Sequence, residues 1–80
     1  MSQGEHVVIN VLKKLGCEVE TVLPVQELQG SLGIDSTEMV ELAALVHKEC
    51  GMPLKPADLL SIQTVGDLVN RIDRFLAVQN

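Results

Sequence analysis

The chain has no tryptophan, no tyrosine and a single phenylalanine, Phe75, which excludes a core organised around aromatic rings. An interior of Leu, Val, Ile, Met and Ala suits packed helices better than an aromatic-rich sandwich of strands. Basic side chains are also scarce: six Lys and Arg stand against eleven Asp and Glu, for a formal charge of −5. A surface of that sign does not hold nucleic acid phosphates, and a basic protein surface is the expected partner. No apolar run approaches the roughly 20 residues that span a bilayer, and Met1-Ser2-Gln3-Gly4-Glu5 lacks the basic start of a secretory signal. The expected setting is therefore cytoplasmic, without membrane insertion. The two cysteines, Cys17 and Cys50, form no C-x-x-C pattern and have no clustered histidines beside them. Reduced, partly buried thiols are expected in place of a zinc site or a disulfide framework.

What is present is helical periodicity. Eighty residues suffice for one small core, so residues 1–80 are expected to form a single domain. Val8, Ile9, Leu12 and Leu15 fall at helical spacing and predict a first helix from Glu5 to Leu15, with Lys13 and Lys14 in its last turn and Gly16 closing it. From Cys17 to Ile34 no period is sustained, yet apolar residues recur throughout. That pattern predicts a long ordered loop pinned to the core, with one helical turn at Val25 to Gln29. Met39, Leu42, Ala43, Val46 and Cys50 give a second helix its inward stripe, and Gly51 and Pro53 end it. Pro56 to Leu60 predicts a short third helix, Pro being tolerated in a first turn. Thr64 caps a last helix whose inward residues are Val65, Leu68, Val69 and Ile72, extended by Phe75 and Leu76.

The second helix carries the chemistry. In Asp35-Ser36-Thr37-Glu38 either Asp35 or Ser36 can cap the helix, Glu38 completing a capping box in the first case. Ser36 lies at the exposed first turn in both. A hydrolytic role would need a base for Ser36, and neither His6 nor His47 comes with an orienting acid or an oxyanion loop. There is no G-x-S-x-G elbow, no phosphate-cradling loop and no cluster of metal ligands. A serine at a helix start can instead be modified by another enzyme, since the amino end of a helix favours an added phosphodiester. Asp35 can cap the helix or help that enzyme hold a substrate-bound metal ion. Thr37, Val40, Ala44 and His47 form a line outside the core stripe, and Glu38, Glu41 and Lys48 lie beyond it. Periodicity leaves two readings of that line open, a marginal core edge with a solvated acidic face or a surface kept for a partner.

Leu32-Gly33-Ile34-Asp35-Ser36 resembles the L-G-x-D-S attachment motif of the acyl carrier proteins, and Val40-Glu41-Leu42 follows at that family's distance. Ile62-Gln63-Thr64-Val65-Gly66-Asp67-Leu68 is similar to the family's I-x-T-V-G-D-L stretch before its last helix. The resemblance covers nearly the whole chain. It implies an all-α, acyl-carrier-like four-helix bundle with three main helices, one short helix and a long ordered first loop. It also implies a non-catalytic carrier: Ser36 receives 4′-phosphopantetheine from coenzyme A through a phosphopantetheinyl transferase, and the arm's thiol holds acyl intermediates as thioesters. The partners it implies are that transferase, a loading enzyme for acyl or aminoacyl groups, and synthases or acyl-modifying enzymes with basic docking patches. Carried over residue by residue, Asp35, Thr37, Glu38, Val40, Glu41, Ala44 and His47 are the docking candidates.

Two positions depart from the family pattern. Thr37 stands where Leu is usual, which removes apolar contact worth about 1–2 kcal/mol, and His47 stands where an acid is frequent. Both favour a dedicated partner set, in polyketide or other specialised acyl biosynthesis. A peptidyl or aminoacyl carrier is the nearest rival, although Ile34-Asp35-Ser36 resembles the acyl type more. An unmodified helical interaction module, with Ser36 only a cap, is the rival from another class. A monomer is the expected state, and the small aliphatic core is expected to be able to open slightly and shelter a lipophilic chain between helices, with nothing in the sequence setting the chain length.

Overall fold

The computed structural model describes residues 1–79. Four helices follow one another, α1 (Gln3–Lys14), α2 (Ser36–Cys50), α3 (Pro56–Ser61) and α4 (Val65–Gln79), and no strand occurs among the described residues. This is the expected bundle of three long helices and one short one. Helix α1 begins two residues before the expected Glu5, because Ser2 and Glu5 form a reciprocal capping box: the Glu5 amide donates to Ser2 Oγ at 3.1 Å and the Ser2 amide to Glu5 Oε1 at 3.3 Å. That pairing satisfies two of the amides a helix start leaves orphaned. At its other end the Cys17 amide donates to the Leu12 carbonyl and the Gly16 amide to the Lys13 carbonyl. Gly16 takes the left-handed conformation this closing motif favours.

Residues 17–34 form the ordered loop, pinned by Val22, Leu28 and Ile34, all buried. The helical turn expected at Val25 to Gln29 forms further on, where the amides of Ser31 and Leu32 both donate to the Glu27 carbonyl. The reason for the shift is tertiary. Residues 24–28 are held against the start of α4: the Leu28 amide donates to the Gln63 carbonyl at 2.9 Å and the Val65 amide to the Gln26 carbonyl at 2.9 Å, while the Gln26 amide closes a turn on the Leu23 carbonyl. Glu27 and Thr64 thereby make one isolated bridge. Gly66 permits the close approach, since a side-chain carbon there would meet Pro24 Cβ and the Pro24 carbonyl oxygen at 3.1 Å.

The core is one aliphatic cluster drawn from all three long helices and the loop, with Leu12, Leu28, Leu42, Val46, Leu68 and Ile72 fully covered. Helix α1 packs against both α4 and α2. The ion pair Lys14–Glu49 at 2.9 Å ties α1 to α2, and Arg71–Asp58 at 3.0 Å ties α3 to α4. Helix α3 buries none of its six residues fully; it is held by that ion pair, by half-buried Leu59 and by the buried residues Met52 and Ile62 on either side of it. Cys17 and Cys50 are free and partly covered, as expected.

Candidate functional site

The start of α2 is set by three consecutive residues with different tasks. Gly33 turns the chain at φ +72°, in the left-handed region that favours glycine. Ile34, at 2% exposure, anchors the turn in the core. Asp35 then caps the helix: its Oδ1 accepts the Glu38 amide at 2.8 Å, while Glu38 Oε1 accepts the Asp35 amide at 3.2 Å. The cap is therefore Asp35, and Ser36 is the first helical residue.

Ser36 is exposed, and its hydroxyl makes no hydrogen bond within the described residues. The other three serines are all engaged. Ser2 Oγ accepts the Glu5 amide, Ser31 Oγ accepts the Glu27 amide, and Ser61 Oγ donates to the Asp58 carbonyl. The capping box uses the Glu38 amide and the Asp35 carbonyl takes the Met39 amide. The amides of Ser36 and Thr37 remain without a protein acceptor, and they sit where the helix dipole favours negative charge. An anionic group esterified to Ser36 Oγ fits this position: the hydroxyl is accessible, and two orphaned donors lie beside it. The neighbouring Asp35 carboxylate works against an added anion, but its engagement with the Glu38 amide turns Oδ1 into the helix start.

Ser36 also stands at the rim of a cleft of about 560 Å³. Met39 and Ile62 line it from the core side, Leu59 and Leu60 from α3, and Gln29 and Gln63 supply polar groups. Leu60 is 82% exposed at this mouth. The far side of α2 from its core stripe holds Thr37, Glu41, Ala44 and Lys48, all exposed, with Val40 and His47 on the flank toward α3. Val40 and Ala44, left open between core edge and surface by periodicity, are thus outside the core, Val40 being 62% exposed. With Ala43, His47, Pro53, Leu54, Pro56 and Leu59 they line a second, mostly apolar groove of about 360 Å³. Glu38 differs from the other candidates: it is half-buried, and its carboxylate is committed to the cap.

The walls of the two hollows also contain Leu54, Leu59, Leu60 and Gln63, which are not among the candidates the sequence offers. The available signal was the adjacent pair Leu59-Leu60 in a helix too short to bury both. His47 lies eleven residues from Ser36 along α2, about 16 Å at the helical rise, so it is no base for the hydroxyl. Three carboxylates elsewhere on the helices are shifted toward the charged form by their own partners, and none of them lines the cleft. Asp67 is held below the usual carboxylate range by the amides of Gln63 and Thr64. Asp58 is lowered by the Lys55 amide and then by Arg71, and Glu49 by Lys14.

Residues 7–72 match the family model described as a phosphopantetheine attachment site. The acyl carrier protein of Thermotoga maritima is 36% identical to this chain over 66 residues, which is 82% of this chain and 82% of that protein.

Proposed function

Since the chain belongs to the acyl carrier proteins, non-catalytic carriers that bear a covalent phosphopantetheine, we propose that Ser36 takes the arm and that the protein serves polyketide or other specialised acyl biosynthesis. The observation that carries the first part is the free hydroxyl: of four serines, Ser36 alone has an Oγ unengaged among the described residues, and it has orphaned helix amides beside it. In this reading Ser36 Oγ becomes the ester oxygen of a phosphodiester, and its proton leaves to a base of the phosphopantetheinyl transferase. The free amides of Ser36 and Thr37 then face the phosphodiester charge. Asp35 keeps the helix start in place through its cap. The bound arm supplies a thiol that holds the acyl group as a thioester. Tethering keeps cargo near each partner enzyme at high effective concentration.

The specialised role is supported by the surface of α2. Thr37, Val40, Glu41, Ala44 and His47 are exposed together, and this face presents a hydroxyl and an imidazole where the family more often has Leu and an acid. Incubation with coenzyme A and a broad-specificity transferase, followed by intact-mass measurement, tests the site. Wild type gains one phosphopantetheine and Ser36→Ala gains none; an unmodified wild type, or a modified variant, overturns the assignment. Mass spectrometry of the arm on protein from its native source identifies the cargo, and ordinary straight-chain fatty acyl groups alone would overturn the specialised role.

A further inference from the structure

Along the exposed pole of α2 the charge changes sign. Thr37, Glu41, Ala44 and Lys48 follow one another at i, i+4, i+7 and i+11, and all are exposed. Beside them runs the apolar groove of about 360 Å³ between α2 and α3, with Val40 on the flank nearer Ser36 and His47 nearer the far end. Lys55 lies at that far end, between the groove residues Leu54 and Pro56. Among the described residues the ion pairs are Lys14–Glu49 and Arg71–Asp58. Glu41, Lys48 and Lys55 are therefore outside any ion pair.

The helix dipole explains Lys48, in the last turn of α2. It does not explain Glu41, which lies past the first turn. It runs against Lys55, which occupies the cap position of α3, where a cation is disfavoured. The groove itself is lined almost wholly by apolar side chains and is flanked by the unpaired carboxylate of Glu41 and the unpaired ammonium of Lys48, with the Lys55 ammonium at its far end, outside an ion pair but within electrostatic reach of Asp58. Charge complementarity of this kind selects a partner's orientation and excludes partners of uniform sign.

We propose that the α2–α3 groove receives an apolar side chain from a partner protein whose docking surface is dipolar, with Arg or Lys opposite Glu41 and Asp or Glu opposite Lys48 and Lys55. This rests on the carrier reading and deepens it: a wholly basic patch meets repulsion over the half of the face farther from Ser36.

The test uses two synthetic helical peptides with the same central leucines, one basic at both ends and one basic at one end and acidic at the other. Each is titrated into isotope-labelled unmodified protein and followed by amide shifts. The dipolar peptide binds wild type about three- to tenfold more tightly than the basic one, as expected for two exposed ion pairs exchanged for two repulsions. It perturbs Ala44, Leu54 and Leu59, and Lys48→Glu with Lys55→Glu reverses the preference. Equal or tighter binding of the basic peptide to wild type, shifts elsewhere on the surface, or no binding by either peptide overturns the proposal. Modification of Ser36, read separately by intact mass, is unaffected by any of these outcomes, so failure of the docking geometry is distinguishable from failure of the carrier reading.

Discussion

Helices α2 and α4 begin with the same device and meet opposite fates. Each has fifteen residues. In each, a capping side chain accepts the amide three residues on while that residue's carboxylate accepts an amide in return: Asp35 with Glu38, and Thr64 with Asp67. At α4 the first two helical amides, those of Val65 and Gly66, donate to the carbonyls of Gln26 and Pro24, and Val65 is buried. At α2 the equivalent residues, Ser36 and Thr37, are exposed, and among the described residues their amides have no protein acceptor. A cap makes a helix start; what lies over the first turn decides whether that start is structure or site.

The comparison breaks most severely when the cover over α4 loses its anchor. Leu28→Ala removes a fully buried side chain and is expected to lower stability by about 2–5 kcal/mol. Urea unfolding gives that loss, and hydrogen exchange should show the Val65 and Gly66 amides losing protection. Gly66→Val pushes the cover away from the helix, because its side chain meets Pro24 at contact distances already tight for one carbon. About 1–3 kcal/mol should be lost, measured the same way. Acid sharpens the comparison more gently. Two amides hold the Asp67 carboxyl below its ordinary range. Its folded pKa is therefore lower than its unfolded one. The stabilisation is full above the unfolded value of about 3.9 and is lost as pH falls through the folded value. The melting temperatures of wild type and Asp67→Asn should accordingly converge as the pH drops below about 4. The smallest effect belongs to the open helix start. Thr37→Leu should change stability by no more than about 0.5 kcal/mol, as surface substitutions do, while lowering the KM for modification by a transferase that prefers apolar contact beside the serine.

How much of this was legible in the sequence follows from the range of each signal. The start and end of α2 were readable because Asp35, Glu38 and Gly51 act within a turn of where they stand. The four-helix order was readable from the stripes at Val8 to Leu15, Met39 to Cys50 and Val65 to Leu76. The true start of α1 lies outside the periodic signal, because Ser2 and Glu5 form a box in front of the apolar stripe and periodicity begins only where the stripe does. The clip between residues 24–28 and 63–66 left no trace, since it joins distant segments through backbone groups that any residue carries. Its consequence, the displaced turn at Glu27, was invisible for the same reason. At the site, Ser36 and the exposed line of α2 were readable as candidates. The cleft and groove were not, because they exist only once α3 is laid beside α2.

That placement gives Leu59 an unusual position: it lines both the cleft beside Ser36 and the groove along α2. It is a party wall between two rooms, carried on the one helix with no fully buried residue. Any occupant of the cleft that shifts this wall changes the shape of the groove. Thermodynamic reciprocity then requires the converse, that whatever fills the groove alters the hold on the occupant of the cleft by the same factor.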